Sequence, residues 1–216
     1  MTGISQTALP EEVARGVVRG DERALASAYQ CLAQPVLNLA ARILRDRQLA
    51  EEVLQDTFIE LVEKSTQIRD PDAIAGWVRR VATNHCLMKL RSPWMAKRVA
   101  GPVDTSVEDW AIHAGQDERV STPDMSAGET IEKAFAELSS ETRTVVWLHE
   151  VEGYTHKEIG ELMGKTTSYS KSQLARGFEK LLSWGARNDR EPQTPNPTTE
   201  KSDEQIRTRV SKPTCI

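Results

Sequence analysis

Hydroxyl and cationic side chains cluster over residues 167–176, and their types suit non-covalent binding of nucleic acid. Cationic groups such as those of Lys171 and Arg176 can neutralise phosphates. Hydroxyl groups can reach base edges, which present hydrogen-bond donors and acceptors in the grooves of DNA. The candidate DNA contacts in this cluster are Thr167, Ser168, Tyr169, Lys171, Ser172 and Arg176.

Two short helices are predicted to position this cluster. The first, over residues 156–163, is followed by Gly164. The second has apolar residues at helical spacing, namely Leu174, Phe178, Leu181 and Leu182. A helix pair joined by a tight glycine turn is typical of proteins that insert the second helix into the major groove. A small bundle with a solvated basic face has the same pattern, so this block alone leaves both interpretations open.

Composition indicates a mainly helical protein of one large or two small domains. The chain has 216 residues, 38% of them hydrophobic, and it lacks the sustained alternation that predicts strands. Cys31, Cys86 and Cys215 form no CxxC pair, which argues against a zinc finger or a disulfide framework and favours a reducing compartment. Without a signal peptide or an apolar run near the ~18 residues of a membrane span, we expect a cytoplasmic protein with no membrane insertion.

The net charge of −4 conceals segments of alternating sign. Residues 48–64 are acidic, residues 67–98 are basic and residues 99–130 are acidic again. The distribution of charge matters more than its sum for nucleic-acid binding. We therefore expect separate segments to face separate partners.

Helical spacing predicts upstream helices over residues 21–44, 49–64 and 71–91. Pro35 should kink or divide the first, because proline lacks the N–H that the preceding turn needs. The second is expected to bury Val53, Leu54, Phe58, Leu61 and Val62. Together these helices predict one domain over residues 15–95.

Proline and glycine interrupt an acidic run over residues 96–130, which predicts a flexible linker. Residues 131–184 are predicted to form a second helical domain. Residues 185–216, with several prolines among mixed charges, are expected to form a disordered tail. The predicted fold class is therefore all-α, with two small helical domains joined by a flexible acidic linker and followed by a disordered C-terminal tail.

These two domains resemble, in order, two regions of one protein family. The segments AEEVLQDTFIELVEK (50–64) and GWVRRVATNHCLMKLR (76–91) resemble region 2 of bacterial sigma factors of the extracytoplasmic-function group. The segment LSSETRTVVWLHEVEGYTHKEIGELMG (138–164), with the run through Arg176, resembles region 4 of the same group. The resemblance implies a region 2 bundle and a region 4 helix-turn-helix. In that family the two domains hold core RNA polymerase and read promoter elements near minus ten and minus thirty-five.

The resemblance assigns the acidic helix to core polymerase. The family's acidic–glutamine–acidic–aromatic pattern docks on a helical coiled coil of the polymerase, and the residues implied here are Glu51, Glu52, Gln55, Asp56 and Phe58. Carboxylates at Glu52, Asp56 and Glu60 recur every four residues and form one stripe that can meet a basic partner. A solvated helix face has the same pattern.

The resemblance also assigns the basic helix and the loop before it to the minus-ten element. In the family this loop, here residues 66–74, captures an extruded base, and the pocket and phosphate contacts offset the unstacking cost. Asn84 matches a family asparagine close to that element. The candidate minus-ten contacts are Arg69, Arg79, Arg80, Asn84, Lys89 and Arg91. Trp77 also matches the family, and its spacing with Ile74 and Val81 favours a core position over a stacking one.

The family's recognition-helix pattern is matched at Gly164, Lys171, Leu174 and Arg176. This match implies that the cluster at residues 167–176 binds the minus-thirty-five element. Ser170 and Gly160 depart from the pattern, which usually has valine and alanine at these positions. Because the Ser170 hydroxyl replaces a core methyl, we expect looser helix packing or a shifted register there.

The function implied is transcription initiation, with core RNA polymerase and promoter DNA as partners and an anti-sigma factor as a candidate third. The alternative is a sigma-like mimic that sequesters an anti-sigma factor without binding DNA, which Lys171 and Arg176 oppose. We expect no enzyme, metal or cofactor, because the histidines lack ligand spacing and neither a GxSxG motif nor a phosphate loop is present. The acidic linker could be a plain tether or an imitation of nucleic acid inside the polymerase cleft.

Overall fold

A computed structural model of the protein describes residues 3–92 and 133–188. These residues form helices and no strand, which confirms the predicted all-α fold class. The α-helices are α1 Glu11–Val18, α2 Glu22–Leu44, α3 Arg47–Lys64, α4 Ile74–Arg91, α5 Ser140–Glu150, α6 His156–Met163 and α7 Thr167–Asn188. Short 3-10 turns lie at Ile4–Gln6, Ser65–Gln67 and Pro71–Ala73. The predicted acidic linker, and the predicted tail beyond residue 188, lie outside the described residues.

Helix α2 is central to the first bundle and packs against α1, α3 and α4. The carboxylate of Asp21 caps its start by accepting the Ala24 N–H at 2.9 Å. Its buried stripe comprises Ala28, Leu32, Val36, Leu39, Ala40 and Ile43. Pro35 lies inside α2, which continues as one helix to Leu44, so of the two expected effects, a kink or a division, the division does not occur. Burial of apolar residues on both sides of Pro35 stabilises the helix across the missing hydrogen bond.

Helices α5, α6 and α7 form the second group. Thr155 and Glu158 form a capping box at the start of α6, each side chain accepting from the other residue's backbone N–H. Helix α6 ends at Gly164, whose φ of 65° and ψ of 34° lie in the left-handed region that glycine adopts at low cost. Helix α7 begins at Thr167, directly after this turn. The predicted helix pair around Gly164 is therefore confirmed.

The two groups of helices pack against each other. Helix α2 contacts α5, and α4 contacts α6. The fully buried Val145, Leu148 and Ile159 belong to the same apolar cluster as the core residues of α1–α4. The described residues therefore share one continuous core, although the sequence predicts two domains, each with its own.

The packing also differs from the sequence-based expectations in the N-terminal segment and at three apolar residues of α3 and α7. Helix α1 and the segment before it are not predicted by periodicity, yet Ile4 is fully buried. Val62, expected in the core, is 58% exposed, and Phe178 and Leu182, expected on the apolar face of α7, are 42% and 74% exposed. Helical spacing identifies an apolar stripe, but the position of the neighbouring helices decides how much of the stripe is covered.

Candidate nucleic-acid and protein interfaces

The N-terminal half of α7 presents most of its candidate DNA contacts to solvent. The exposed residues are Thr167, Ser168, Lys171, Ser172 and Arg176. Ser168, Lys171 and Ser172 share one face, because residues three and four apart are neighbours on a helix. The opposite side of the helix is anchored by the buried Gln173, whose Oε1 accepts from the Thr142 hydroxyl of α5 at 2.7 Å. The packing therefore leaves a surface of hydroxyls and cations uncovered.

Tyr169 differs from the other candidates on α7 because it is bound to α5. Its hydroxyl donates to the Glu141 carboxylate. Burial, followed by the hydrogen bond to Glu141, raises the pKa of Tyr169 to about 12, so the phenol keeps its proton. The Lys165 ammonium lies 5.5 Å from the ring centroid. Tyr169 therefore holds the start of α7 in place.

The two departures from the family pattern have direct roles in the turn. Ser170 is fully buried, and its hydroxyl lies 3.0 Å from Nδ1 of His156, so it has a hydrogen-bond partner. A Cβ on Gly160 would lie 2.9 Å from the Lys165 carbonyl oxygen, which is shorter than a normal van der Waals contact. The expected looser packing is wrong, because a hydrogen bond and a close backbone approach replace the two methyl groups.

His156 places a titratable ring beside this surface. Its ring stacks on that of His149, with centroids 4.4 Å apart. Burial, followed by the charges of His149 and Lys171, lowers the pKa of His156. Protonation of the His156 ring would therefore add a second positive charge close to that of Lys171.

A cleft of about 750 Å³ between α4 and α6 contains part of the second candidate DNA face. Arg79, Arg80 and Asn84 line the α4 side. The carboxylates of Glu158 and Glu161 line the α6 side. Opposite charges thus face each other across the cleft.

Two guanidinium groups of α4 are already engaged by the second group of helices. Arg79 Nη1 donates to the Glu152 carbonyl, and its guanidinium carbon lies 4.1 Å from the centroid of the Tyr154 ring. Arg91 Nη2 donates to the Leu162 carbonyl at 2.9 Å. These two candidates are therefore bound within the protein in this arrangement.

The remaining candidates near the cleft are less constrained. Arg80 and Asn84 are exposed on α4, and Arg69 is exposed on the loop before it. Trp77 combines both roles considered for it, since it is partly buried against the core and also lines the cleft. The structure brings Arg80, Asn84 and Trp77 together and leaves Arg69 on the separate loop.

Lys89 turns away from this cleft and contacts α3. Its Nζ lies 2.7 Å from the Glu52 carboxylate and 3.8 Å from that of Asp56. A residue expected to bind DNA thus pairs with residues expected to bind polymerase. The structure does not bring Lys89 together with Arg80 and Asn84.

The exposed face of α3 combines carboxylates with apolar side chains. Glu51, Gln55 and Asp56 are exposed, whereas Glu52 is half-buried. Phe58 is only 8% exposed and packs edge-on against Tyr29, with ring centroids 4.8 Å apart. A shallow groove of about 480 Å³ lies beside these residues and is lined by Gln55, Phe58, Ile59, Val62 and Glu63. Ile59 and Val62, rather than Phe58, provide the exposed apolar surface.

Charged residues between the two groups of helices are missed by sequence reasoning. Glu158 could have been found, because Thr155 and Glu158 have capping-box spacing. Arg143 and Glu152 are buried, and no periodicity marks them. Burial raises the pKa of the Glu152 carboxyl, although the backbone N–H of Ile4 acts in the opposite direction.

The described residues contain no group of three or more histidine, cysteine, aspartate or glutamate side chains arranged to hold a metal ion. In the same part of the chain, no helix is both long and apolar enough to cross a membrane.

Comparison with known proteins connects these faces to a family. The sequence matches the family models for "Sigma-70 region 2" over residues 28–95 and "Sigma-70, region 4" over residues 128–181. The chain belongs to the sigma-70 family, in its extracytoplasmic-function group. The region 2 match covers most of α2 and all of α3 and α4, and the region 4 match covers α5, α6 and the larger part of α7.

Several sigma factors are similar to the chain over most of its length. The extracytoplasmic-function sigma factor SigE of Mycolicibacterium smegmatis is 29% identical over 177 residues, which are 80% of this chain and 66% of SigE. CarQ of Myxococcus xanthus is 28% identical, over 68% of this chain and 80% of CarQ. SigW of Bacillus subtilis is 23% identical, over 76% of this chain and 90% of SigW. Sigma factors are transcription initiation factors, and these relatives give no support to the alternative of a sequestering mimic.

Proposed function

We propose that this sigma factor binds core RNA polymerase through α3 and directs it to promoters through α4 and α7. In this assignment the exposed half of α7 reads the minus-thirty-five element and α4 binds the minus-ten strand in the polymerase complex. The polymerase supplies the chemistry, and the sigma factor supplies the choice of site. Its place of action is therefore where polymerase works, in the cytoplasm.

The uncovered surface of α7 is the observation that carries this proposal. It follows a capped α6 and the left-handed Gly164, which together fix the angle between the two helices. Lys171 lies in the first half of α7, where side chains of a recognition helix reach base edges and phosphates. The neighbouring Ser168 and Ser172 add hydroxyls on the same face. A solvated basic face would not need such a constrained turn before it.

The face of α3 supports the assignment to polymerase. A stable protein interface needs an apolar centre with a polar rim, and charged residues there speed the encounter. Ile59 and Val62 provide the apolar centre, and Gln55 and Asp56 provide the neighbouring polar groups. Lys89 holds Glu52 and Asp56 in place from the α4 side.

Run-off transcription tests the function directly. Purified core polymerase with the wild-type chain should initiate at discrete sites in a genomic DNA library and yield the promoter motif. Lys171→Ala should weaken holoenzyme binding to that promoter and reduce the salt slope by roughly one. Lys180→Ala is the matched control, because Lys180 is exposed on the opposite side of the same helix. No specific initiation by wild-type holoenzyme would contradict the proposed function.

Polymerase binding is tested by neutralising the α3 face without adding charge. The double variant Glu52→Gln, Asp56→Asn avoids placing a new cation beside Lys89. It should reduce pull-down of core polymerase by at least about tenfold, as loss of charged interface contacts does. Glu11→Gln with Glu12→Gln is the control, since both side chains are exposed on α1. Wild-type association of the α3 variant, with an unchanged unfolding midpoint, would remove these carboxylates from the docking face.

A further inference from the structure

We propose that His149 of α5 and His156 of α6 form a proton-dependent phosphate site beside the exposed face of α7. The ligand is a phosphate of the DNA backbone next to the minus-thirty-five element. The inference rests on the proposed function for the identity of the DNA. It adds two residues from other helices to the surface of α7 and makes promoter affinity depend on pH.

The two imidazole rings form a stacked pair where α5, α6 and α7 meet. Their centroids are 4.4 Å apart, and their planes differ by 23°. The His149 side chain is 32% exposed, and His156, the first residue of α6, is also partly exposed. Both rings are therefore within reach of solvent and of a ligand, unlike histidines that are enclosed in a core.

The hydrogen bond at Nδ1 of His149 decides what its Nε2 offers to a ligand. Nδ1 lies 2.9 Å from a carboxylate oxygen of Glu150, and an ionised carboxylate only accepts hydrogen bonds. In the neutral ring the hydrogen is therefore on Nδ1, and Nε2 presents a lone pair that repels a phosphate. Protonation converts Nε2 into a charged donor, which a phosphate oxygen accepts strongly.

Ser170 allows His156 to change its protonation state while it stays in place. The fully buried Ser170 hydroxyl lies 3.0 Å from Nδ1 of His156. A hydroxyl donates to an unprotonated nitrogen and accepts from a protonated one, so the contact is kept in both states. Valine, which the family pattern has at this position, could do neither. The serine at this position is therefore suited to a ring that gains and loses a proton.

The position of the pair suits the DNA backbone. Ser170, which holds the His156 ring, directly precedes Lys171 on the exposed face of α7. In a helix-turn-helix the second helix enters the major groove while the first crosses the backbone. His156 is at the start of that first helix, so its ring is placed for a phosphate rather than for a base edge.

The groups that face the pair make its charge responsive to a ligand. Burial, followed by the charges of His149 and Lys171, lowers the pKa of His156, and the Glu150 carboxylate acts in the opposite direction. Repulsion between two charged rings in contact favours a single proton on the pair. A bound phosphate brings a negative charge, which favours that proton. Phosphate binding and protonation therefore strengthen each other.

Promoter binding by the holoenzyme at two pH values tests the site. Core polymerase with the full chain is titrated by fluorescence anisotropy with the promoter duplex found by run-off transcription, at pH 7.5 and pH 5.5. His149→Gln and His156→Gln remove the titrating rings. From pH 7.5 to pH 5.5 the wild type should gain roughly threefold to tenfold in affinity relative to either variant, since one unit of pKa corresponds to a factor of ten. Its salt slope should increase by about one over the same interval.

His85→Gln is the matched control, because His85 is also partly exposed but lies 3.1 Å from Glu60 of α3. It should show the full gain of the wild type, and any pH response of the polymerase itself is common to all four proteins. Urea unfolding midpoints at pH 7.5 show whether the variants fold. If His156→Gln is destabilised by losing its contact with Ser170, His149→Gln decides the question, because the His149 ring has no buried hydroxyl as its partner.

Neutral phosphates identify the ligand. Promoter duplexes are made with one methylphosphonate at a time along both strands of the minus-thirty-five element. One such replacement should abolish the affinity gain of the wild type at pH 5.5 and leave the affinity of His156→Gln unchanged between the two pH values. A gain that no single replacement removes would overturn the assignment to a backbone phosphate.

The remaining outcomes separate this site from the proposed function. An equal gain at pH 5.5 in the wild type and in both histidine variants would overturn the proton-dependent site. The proposed function stands in that case, provided that wild-type holoenzyme prefers the promoter to a scrambled duplex. No such preference at either pH would contradict the proposed function, whereas the gain measured with the scrambled duplex would still decide whether the histidine pair binds phosphate.

Discussion

Helices α4 and α7 carry the same kinds of cationic and polar side chain that we propose for DNA binding, yet the two helices are packed differently. On α7, the side chains of Lys171 and Arg176 are exposed to solvent. On α4, Arg79 donates to the Glu152 carbonyl and Arg91 to the Leu162 carbonyl. From the sequence alone, both helices would be predicted to bind nucleic acid equally well. Their availability is set by packing partners that lie more than seventy residues away along the chain.

The same type of cation can thus be engaged in the fold on α4 and be exposed for the proposed DNA binding on α7. A guanidinium group bound to carbonyls has lost hydration and side-chain freedom, and it must be released before it can bind phosphate. An exposed lysine such as Lys171 has no such requirement. We therefore expect loss of an exposed cation of α7 to lower the affinity for DNA directly, and loss of an engaged cation of α4 to lower it less.

The largest effect is expected from Gly160→Ala, which changes α7 without touching its cations. The new Cβ would lie 2.9 Å from the Lys165 carbonyl oxygen and 3.1 Å from the Thr166 carbonyl carbon. Overpacking of this kind costs about 1–3 kcal/mol. Urea unfolding followed by circular dichroism should show the loss, and holoenzyme binding to the promoter should weaken with it.

The control for Gly160→Ala is the same change at Gly185, where a Cβ meets nothing within 4 Å. Within a helix, alanine is better than glycine by roughly 0.5–1 kcal/mol, so this control should be slightly stabilised. Opposite signs at the two positions would identify the close turn as the cause. Stabilisation at both would show that the turn can shift at little cost.

The second prediction compares Arg80→Ala with Arg79→Ala on α4. Arg80 is exposed, so its loss should weaken binding of a single-stranded DNA 20-mer and reduce the salt slope by about one. Arg79→Ala should weaken binding less, because the Arg79 guanidinium already donates to the Glu152 carbonyl and is not available to phosphate. Fluorescence anisotropy titrations at several salt concentrations measure both quantities, with Arg19→Ala as an exposed control. A greater loss for Arg79→Ala would mean that Arg79 is free to contact DNA.

Sequence reasoning predicted the all-α class and the helix pair around Gly164 because both depend on local signals. Apolar spacing, a glycine at a helix end and the absence of strand patterning are all contained in short windows. The same signals gave α3 and α4 with small errors at their ends. The start of α2 was equally accessible, because Asp21 is an N-cap residue type just before an apolar repeat.

The packing of α5–α7 against α1–α4 could not be predicted in this way. Arg143 and Glu152 are charged residues, and a charge in a sequence is ordinarily read as surface. Their burial depends on carbonyls and N–H groups of distant segments, namely Arg42, Ile43 and Ile4. The pairing of Lys89 with Glu52 was hidden for the same reason, since it joins two helices that sequence reasoning assigned to different partners.

Lys89→Met tests whether Lys89 belongs to the α3 face or to the proposed DNA surface of α4. Because its ammonium pairs with carboxylates of α3, its loss should leave the salt slope of single-stranded DNA binding unchanged. Partly exposed ion pairs contribute at most about 1 kcal/mol, so the stability loss should be small. Lys64→Met is the control, since Lys64 pairs with Glu60 within α3. A salt slope of DNA binding reduced by about one would instead show that Lys89 contacts a phosphate.

The smallest expected effect is a pH dependence of the α7 surface through His156. Burial and the charges of His149 and Lys171 lower the pKa of His156 in the folded state. A lowered folded pKa gives stability that is fully present above the ordinary histidine pKa of about 6.5 and is lost as the pH falls through the folded value. The wild type should therefore lose more stability than His156→Gln between pH 7.5 and pH 5.5.

Urea unfolding midpoints of both proteins at the two pH values measure this difference. Glu152 acts in the opposite direction, because its raised pKa gives stability that is present in acid and is lost as the pH rises. It is present in both proteins, so its contribution cancels in the comparison. An equal loss in the two proteins would show that His156 accepts its proton as readily in the fold as in the unfolded chain. The His156 ring would then gain its positive charge beside Lys171 near the ordinary histidine pKa of about 6.5.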